Sequence, residues 1–359
     1  MPKTYIIAEA GVNHNGDISL ALQLIDAAYS AGADAVKFQT FNANKLVTEY
    51  AQQANYQLAN TKKEESQLNM LKRLELSYES HKKLISYCKN LGIEFMSTAF
   101  DNESLKFLVS DLGLRNLKIA SGEITNAPLL LQHARTNCNL ILSTGMASLS
   151  EIENALAVIA FGFLNKKNIK PSINAFHSAY CSPAGQKLLK EKVILLHCTT
   201  EYPAPLDDIN LKAIDTLNSA FKLPVGYSDH SEGITIPIAA VSKGAIVIEK
   251  HFTLDKNMEG PDHKASLEPD ELSNMIKAIR AVEKALGNGI KSPQPSEIEN
   301  KPVARRSIIA ARMIKEGQII SADDLVIKRP GTGMSPYSYW DLIDKISKNS
   351  YNPGDIINE

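Results

Sequence analysis

Two histidines and two lysines stand where their side chains can do chemistry. His230 and His251 each close a short apolar run, Val225–Tyr227 leading into Ser228-Asp229-His230 and Ile246–His251 containing the second. On neighbouring strands ~4.8 Å apart, both imidazoles can reach one ion at ~2.1 Å. Asp262, in Gly260-Pro261-Asp262-His263, lies just beyond and can add a carboxylate. A site of two imidazoles with oxygen or water ligands keeps positions open, which suits Mn²⁺ or Mg²⁺ acting as a Lewis acid. Two hydrogen-bonded rim imidazoles are the other reading, and the sequence leaves both open.

Lys37 and Lys118 sit inside short apolar runs, where an unpaired ammonium is costly. Either each meets a buried carboxylate or both face an anion. The hydroxyls of Ser97, Thr98, Ser121, Ser143 and Ser228 fall at the ends of similar runs. Two lysines ringed by hydroxyls suit a small ligand bearing phosphate and carboxylate. His14 lies in an Asn/Gly turn, where stabilising the turn competes with catalysis. His197 and Cys198 are adjacent on a strand and so point to opposite faces, which rules against a thiol–imidazole pair.

The elements that must position these residues follow from the order of apolar runs. Tyr5–Ala8, Ala35–Gln39, Glu94–Thr98, Leu117–Ala120, Leu140–Ser143, Val193–Cys198, Val225–Tyr227 and Ile246–His251 read as strands buried on both faces. Helical periodicity fills the stretches between them. This alternation predicts an α/β fold, a (β/α)₈ TIM barrel, with an open doubly wound sheet as the alternative. No GxGxxG follows any of the strands, which removes the usual reason for a dinucleotide fold. In a barrel the strand C-terminal ends share one face, and all eight ends here are polar. The connection Phe41–Ser77 lies on that face and has room for an extra helix. The connection Asn165–Glu191 lies on the opposite rim, and its Phe176–Gly185 portion, with Pro183 and Gly185, reads as an insertion loop without chemistry.

The barrel is predicted over residues 1–287. Gly287-Asn288-Gly289 reads as a helix stop, and 288–302 as a proline-bearing linker. Residues 303–359 carry β-like runs at Ser307–Ala311, Ile319–Ile320 and Leu325–Lys328, a unit small enough to gain from packing against the barrel or a second subunit. Lys plus Arg number 39 against 40 Asp plus Glu, a net charge of −1, which argues against nucleic acid as a partner. No apolar stretch approaches the ~20 residues that span a bilayer, and the N-terminus shows no signal-peptide pattern. The four cysteines form no CxxC pair. The expectation is a cytoplasmic protein with reduced thiols.

With these residues in view, the sequence resembles the sialic acid synthase family, N-acetylneuraminate synthase and its bacterial relatives, over nearly its full length. The resemblance rests on Ile7 to Gly16, Val36 to Phe41, Lys118 to Glu123, Leu142 to Met146, His197 to Pro203, Tyr227 to His230, Glu249 to Phe252, Gly260 to His263 and Lys328 to Gly333. It implies a (β/α)₈ barrel followed by a small antifreeze-like SAF domain. It also implies a homodimer in which the SAF domain is exchanged to cap the partner's active site. The implied reaction joins phosphoenolpyruvate, an N-acylated mannosamine-type sugar and water into a nine-carbon 2-keto acid and phosphate. A divalent metal, typically Mn²⁺ with Mg²⁺ or Co²⁺ as alternatives, would be held by His230 and His251. Lys37, Thr98, Lys118, Ser121, Ser143 and Ser228 would bind phosphoenolpyruvate. Gln39, Thr200, Tyr202, Asp262 and, from the partner's cap, Arg329 would bind the sugar. Glu123, beside the lysine and serine of the fourth strand, is the candidate to activate water or shuttle its proton.

Asn15 and Thr200 differ from some family members, which leaves the acceptor open. N-acetylmannosamine, giving N-acetylneuraminate, ranks first and a 2,4-diacetamido-trideoxy hexose, giving the legionaminate analogue, second. Pseudaminate ranks third. Two rivals stand beside this reading. One is a Schiff-base aldolase using Lys37, Lys118 or Lys250. The other is a non-catalytic carbohydrate- or ice-binding protein, against which the C-terminal segment shows no periodic Thr or Asn array.

Overall fold

The computed structural model describes residues 3–61, 63, 65–165 and 168–358 and forms two compact units, Met1–Gly287 and Asn288–Glu359. In the first, eight parallel strands close on themselves in sequence order. They are β1 (Tyr5–Gly11), β2 (Ala35–Thr40), β3 (Glu94–Ala99), β4 (Asn116–Ile119), β5 (Asn139–Ser143), β6 (Val193–His197), β7 (Val225–Asp229) and β8 (Val247–His251). The expected barrel is therefore the observed one, with each strand within a few residues of its apolar run. Burial on both faces explains those runs. Ile7, Met96, Ile141, Leu196 and Val247 cluster inside the barrel, while Ile6, Val36, Leu117 and Ile248 pack outward against helices.

The helices alternate with the strands. They are α1 (Ile18–Ala31), α2 (Ala43–Leu46), α3 (Asn55–Thr61), α4 (Gln67–Leu74), α5 (Tyr78–Leu91), α6 (Asn102–Lys106), α7 (Ala127–Arg135), α8 (Leu149–Leu164), α9 (Ile173–Tyr180), α10 (Pro183–Lys192), α11 (Ala213–Phe221), α12 (Thr235–Ser242) and α13 (Pro269–Ala285). Thus the connection after β2 holds three helices rather than one. Its apolar residues Phe41, Ala43, Leu68, Met70 and Leu74 form a small core with Val12 from the turn after β1.

The expected loop at Phe176–Gly185 is mostly helix, α9 and the start of α10. Pro183 occupies the first turn of α10, where no amide hydrogen is needed, behind the N-cap Ser182. A Cβ on Gly185 would sit 2.1 Å from the Ala179 carbonyl, so glycine there permits close helix packing and does not mark a loop. No helix among the described residues is long and apolar enough to cross a membrane.

The second unit pairs β9 (Ser307–Ala310) with β10 (Leu325–Lys328) as an antiparallel ribbon. Isolated bridges such as Ile319–Ile346 extend it, and Ile308, Ile314, Ile320, Leu342 and Ile357 form its core.

Candidate active site

Strand register decides which side chains meet. Glu9 of β1 pairs with Lys37 of β2 on one side and with His251 of β8 on the other. Gln39 pairs with Thr98, Thr98 with Lys118, and Ser228 with Glu249. Because side chains alternate along a strand, Ser228 and His230 face inward from β7, as do Glu249 and His251 from β8. These groups line a cavity of about 240 Å³ in the first unit.

The floor of that cavity is charged and almost dry. Lys37 Nζ lies 2.6 Å from Glu9 Oε2 and 3.6 Å from Glu249 Oε2, and donates to Thr98 Oγ1 at 3.2 Å. Lys118 Nζ lies 3.2 Å from Glu249 Oε1, which also accepts from Ser228 Oγ at 2.8 Å. Burial pushes Glu9 up to about 7, although the Lys37 ammonium pulls it down. Burial also works to raise Glu249, but Lys118 and then Lys37 outweigh it and hold this carboxyl well below its ordinary range. Burial opposes the charge on Lys37, yet Glu249 and Glu9 together keep its pKa above the ordinary value. Two ammonium groups and two carboxylates thus share one buried patch. Ser121 Oγ accepts from the Gly145 amide at 3.0 Å, and Ser143 Oγ is buried without a hydrogen-bond partner.

The imidazoles of His230 and His251 stand with centroids 5.5 Å apart. His230 Nδ1 hydrogen-bonds the Thr199 carbonyl at 2.6 Å, which leaves its Nε2 as the lone-pair nitrogen. Burial lowers its pKa to about 4, and burial with the neighbouring His230 holds His251 well below the ordinary histidine range, so both rings are neutral near pH 7. His251 Nδ1 is buried without a hydrogen-bond partner, 4.0 Å from Asp262 Oδ2. Burial raises Asp262 to about 6. Among the described residues, no group of three or more His, Cys, Asp or Glu is arranged to hold an ion. The donor set is therefore two neutral imidazoles with one carboxylate nearby. An orphaned buried nitrogen and a second ring oriented by a backbone carbonyl fit a divalent cation that completes its shell with water or substrate.

Of the residues given a substrate-binding, metal-binding or water-activating role, all but Glu123 and Arg329 line this cavity. The Ser97 hydroxyl is not part of the lining and meets Thr40 Oγ1 at 2.7 Å. Glu123 ends a 3-10 turn, Ser121–Glu123, one residue beyond the lining, and its carboxylate accepts from Asn126 Nδ2 at 2.7 Å. Arg329 belongs to the second unit, where its Nε donates to the Ala304 carbonyl at 3.0 Å. The Tyr202 ring lies tilted against its neighbours, 4.1 Å from His230 and 5.0 Å from Tyr56 between centroids. Thr200 Oγ1 is buried and free of hydrogen bonds. His197 Nε2 hydrogen-bonds the Ile209 carbonyl, and His14 Nδ1 accepts from the Gly16 amide, a turn-stabilising role.

Lys250 does not face the cavity. It is wholly buried on the outer side of β8, with Nζ 2.6 Å from Asp229 Oδ2. That placement removes it as a Schiff-base lysine. Sequence reasoning also missed lining residues. Glu9 and Glu249 share the inward parity of the residues around them and could have been found by counting from His251. Tyr56, Met70, Leu71 and Leu74 come from α3 and α4, and nothing in the strand pattern pointed to them.

Comparison with known proteins places this geometry among characterised folds. The NeuB family profile matches residues 24–291, and the SAF domain profile matches residues 305–358. The chain is 49% identical to the N,N'-diacetyllegionaminic acid synthase of Campylobacter jejuni, covering 100% of both chains. It is 46% identical to the protein of that name from Legionella pneumophila, covering 96% of this chain and 91% of the other. Among solved structures, the N-acetylneuraminic acid synthetase of Leptospira borgpetersenii aligns with a TM-score of 0.67 and 38% identity. That alignment covers 83% of this chain and 90% of the other.

Proposed function

Since the chain belongs to the NeuB family and carries a SAF domain, we propose that it condenses phosphoenolpyruvate with an N-acylated amino sugar and water. The acceptor we favour is 2,4-diacetamido-2,4,6-trideoxymannose, giving N,N'-diacetyllegionaminate and phosphate. This reverses the order drawn from the sequence, because the 49% and 46% identical relatives carry the legionaminate name. N-acetylmannosamine becomes the second acceptor.

The observation that carries the reading is one cavity holding two lysine ammonium groups beside two neutral imidazoles. Lys37 and Lys118 would hold the phosphate and carboxylate of phosphoenolpyruvate, with Thr98, Ser121, Ser143 and Ser228 supplying hydroxyl donors. Gln39, Thr200, Tyr202 and Asp262 would orient the open-chain sugar. His230 and His251 would hold a divalent cation, Mn²⁺ first and Mg²⁺ or Co²⁺ as substitutes, whose chemistry is Lewis-acid polarisation of the sugar aldehyde. C3 of phosphoenolpyruvate attacks the aldehyde carbon, and the aldehyde oxygen takes a proton. Water then adds at C2 and gives up a proton, and the C2–O bond to phosphate breaks to leave the ketone. Glu9 and Glu123 are the two candidates for that proton. Glu9 is preferred because it lines the cavity beside Lys37 with its pKa raised toward neutrality.

A Schiff-base aldolase fits the floor less well, since Lys37 is held as the ammonium by Glu9 and Glu249. We propose further, from the family resemblance and the SAF match at 305–358, a cytoplasmic homodimer in which each SAF unit caps the partner's barrel with Arg329. The deciding experiment is phosphate release from phosphoenolpyruvate with each acceptor. Release should require Mn²⁺, stop in EDTA and return on re-addition. Turnover that survives EDTA, with borohydride trapping of pyruvate on a lysine, would overturn the reading in favour of the aldolase.

A further inference from the structure

The cavity has two unlike sides. Its floor carries the charges and imidazoles described above, all from strand ends. One flank is apolar: Val12 after β1, Phe100 after β3, and Met70, Leu71 and Leu74 from α4. Spacing of i, i+1 and i+4 sets those three α4 residues on one face of the helix. Ser66 caps its N-terminus by accepting from the Asn69 amide, Arg73 pairs with Glu65, and Glu75 accepts from the Ala43 amide at 3.0 Å. The helix is therefore fixed at both ends, and the flank is a built wall.

A purely structural account covers only part of that wall. Met70 and Leu74 are 1% and 7% exposed and belong to the small core of Val12 and Phe41. Leu71 packs on that core from outside, half-buried, and turns the rest of its side chain to the cavity. The polar exceptions nearby come from α3, and of these Gln57 Oε1 is already engaged by the Ala54 amide at 2.9 Å. A sugar hydroxyl laid on this wall would lose water without gaining a partner, whereas a methyl group would lose nothing.

We infer that α4, through Leu71 backed by Met70 and Leu74, is the element that selects the acceptor, by taking its deoxygenated C6 and acetamido methyl against the apolar wall. This rests on the synthase reading and deepens it by assigning acceptor choice to named residues. The α4 wall discriminates against N-acetylmannosamine, whose C6 hydroxyl finds no donor or acceptor there. A hydrophobic surface distinguishes such analogues by roughly 10- to 100-fold in kcat/KM.

The test compares three acceptors with the full-length, Mn²⁺-loaded protein: 2,4-diacetamido-2,4,6-trideoxymannose, 6-deoxy-N-acetylmannosamine and N-acetylmannosamine. Wild type should prefer them in that order, with about 10-fold or more between first and last. Leu71→Gln should cut kcat/KM for the first acceptor by about 10-fold or more while costing N-acetylmannosamine far less. Leu71→Met, which keeps size and apolarity, should retain the preference, and the N-acetylmannosamine turnover that Leu71→Gln keeps shows that its α4 is still folded. An equal loss on all three acceptors, or a wild type indifferent to them, would overturn the inference and leave the synthase reading standing. No phosphate release with any acceptor would overturn the synthase reading, and this inference with it.

Discussion

Replacing Lys250 by Met should destabilise the barrel far more than a single lysine usually does. Lys250 and Asp229 are both 0% exposed, paired across β7 and β8 at 2.6 Å in the layer between sheet and helices. Removing one partner of such a pair leaves an uncompensated buried charge and costs about 3–5 kcal/mol. The carboxylate would retain Tyr227 OH at 3.1 Å, Ser231 N at 3.1 Å and Ser231 Oγ at 2.8 Å, which places the loss toward the lower end. Asp229→Asn on top of Lys250→Met removes the stranded charge, while the amide oxygen still accepts from Tyr227 and Ser231. The double variant should therefore recover most of the loss, to within about 1–2 kcal/mol of wild type. Urea unfolding followed by far-UV circular dichroism is the suitable assay. The chain's single tryptophan, Trp340, lies in the second unit and would report the wrong transition. Mn²⁺ titration should also show weaker binding in Lys250→Met, since the pair sits directly behind His230 and His251. A single variant losing less than about 1 kcal/mol, or a double variant as unstable as the single, would refute the reasoning.

Acid should weaken the fold through its buried neutral histidines. His133, 0% exposed, falls from 6.5 to about 4 because of burial, so between those values the unfolded chain binds the extra proton. Its contribution is intact above pH 6.5 and is lost as pH falls, reaching roughly 3 kcal/mol at pH 4. His133→Leu should flatten the urea midpoint over that window, and an unchanged slope would exclude the assignment. Glu9→Gln should depress kcat by about 100-fold or more and exceed the effect of Glu123→Gln; the opposite order in steady-state phosphate release would return the proton to Glu123. Deletion from Pro302 onward, or Arg329→Ala, should abolish sugar turnover while phosphoenolpyruvate binding by calorimetry survives. A fully active truncated barrel would refute the capping role.

The barrel was legible because buried parallel strands leave continuous apolar runs, and eight of them alternated with helical periodicity. The floor was legible where a polar residue interrupted such a run, as with Lys37, Lys118, His230 and His251. Parity along the same strands held more than was taken from it. Counting back from His251 puts Glu249 inside and Lys250 outside, and counting back from His230 puts Ser228 inside and Asp229 outside. The α3 and α4 contributions were not legible, because a short helix after β2 has an apolar face whether it covers a core or a ligand. Phe176–Gly185 misled for a different reason. Pro183 and Gly185 punctuate loops in most contexts, but here one opens a helix and the other admits a backbone at 2.1 Å from its would-be Cβ.

The sequence posed the two lysines as a choice between buried ion pairs and an anion site, and the geometry makes that choice a false one. Lys37 and Lys118 are each 4% exposed in their side chains, and a charge so buried requires a partner before any ligand arrives. Glu9 and Glu249 supply it. Yet the same lysines line the cavity, so an arriving anion meets charges already desolvated and fixed in direction by carboxylates that stay in place. Most of the cost of organising the site is then met in folding, which is the condition under which electrostatic stabilisation of a reacting anion is most effective. It follows that Glu249→Gln should harm the floor in two ways. It strands Lys118 without a carboxylate and leaves Lys37 with Glu9 alone, so loss of phosphoenolpyruvate affinity should accompany loss of stability. An affinity gain with stability unchanged would show that the carboxylates merely compete with the ligand.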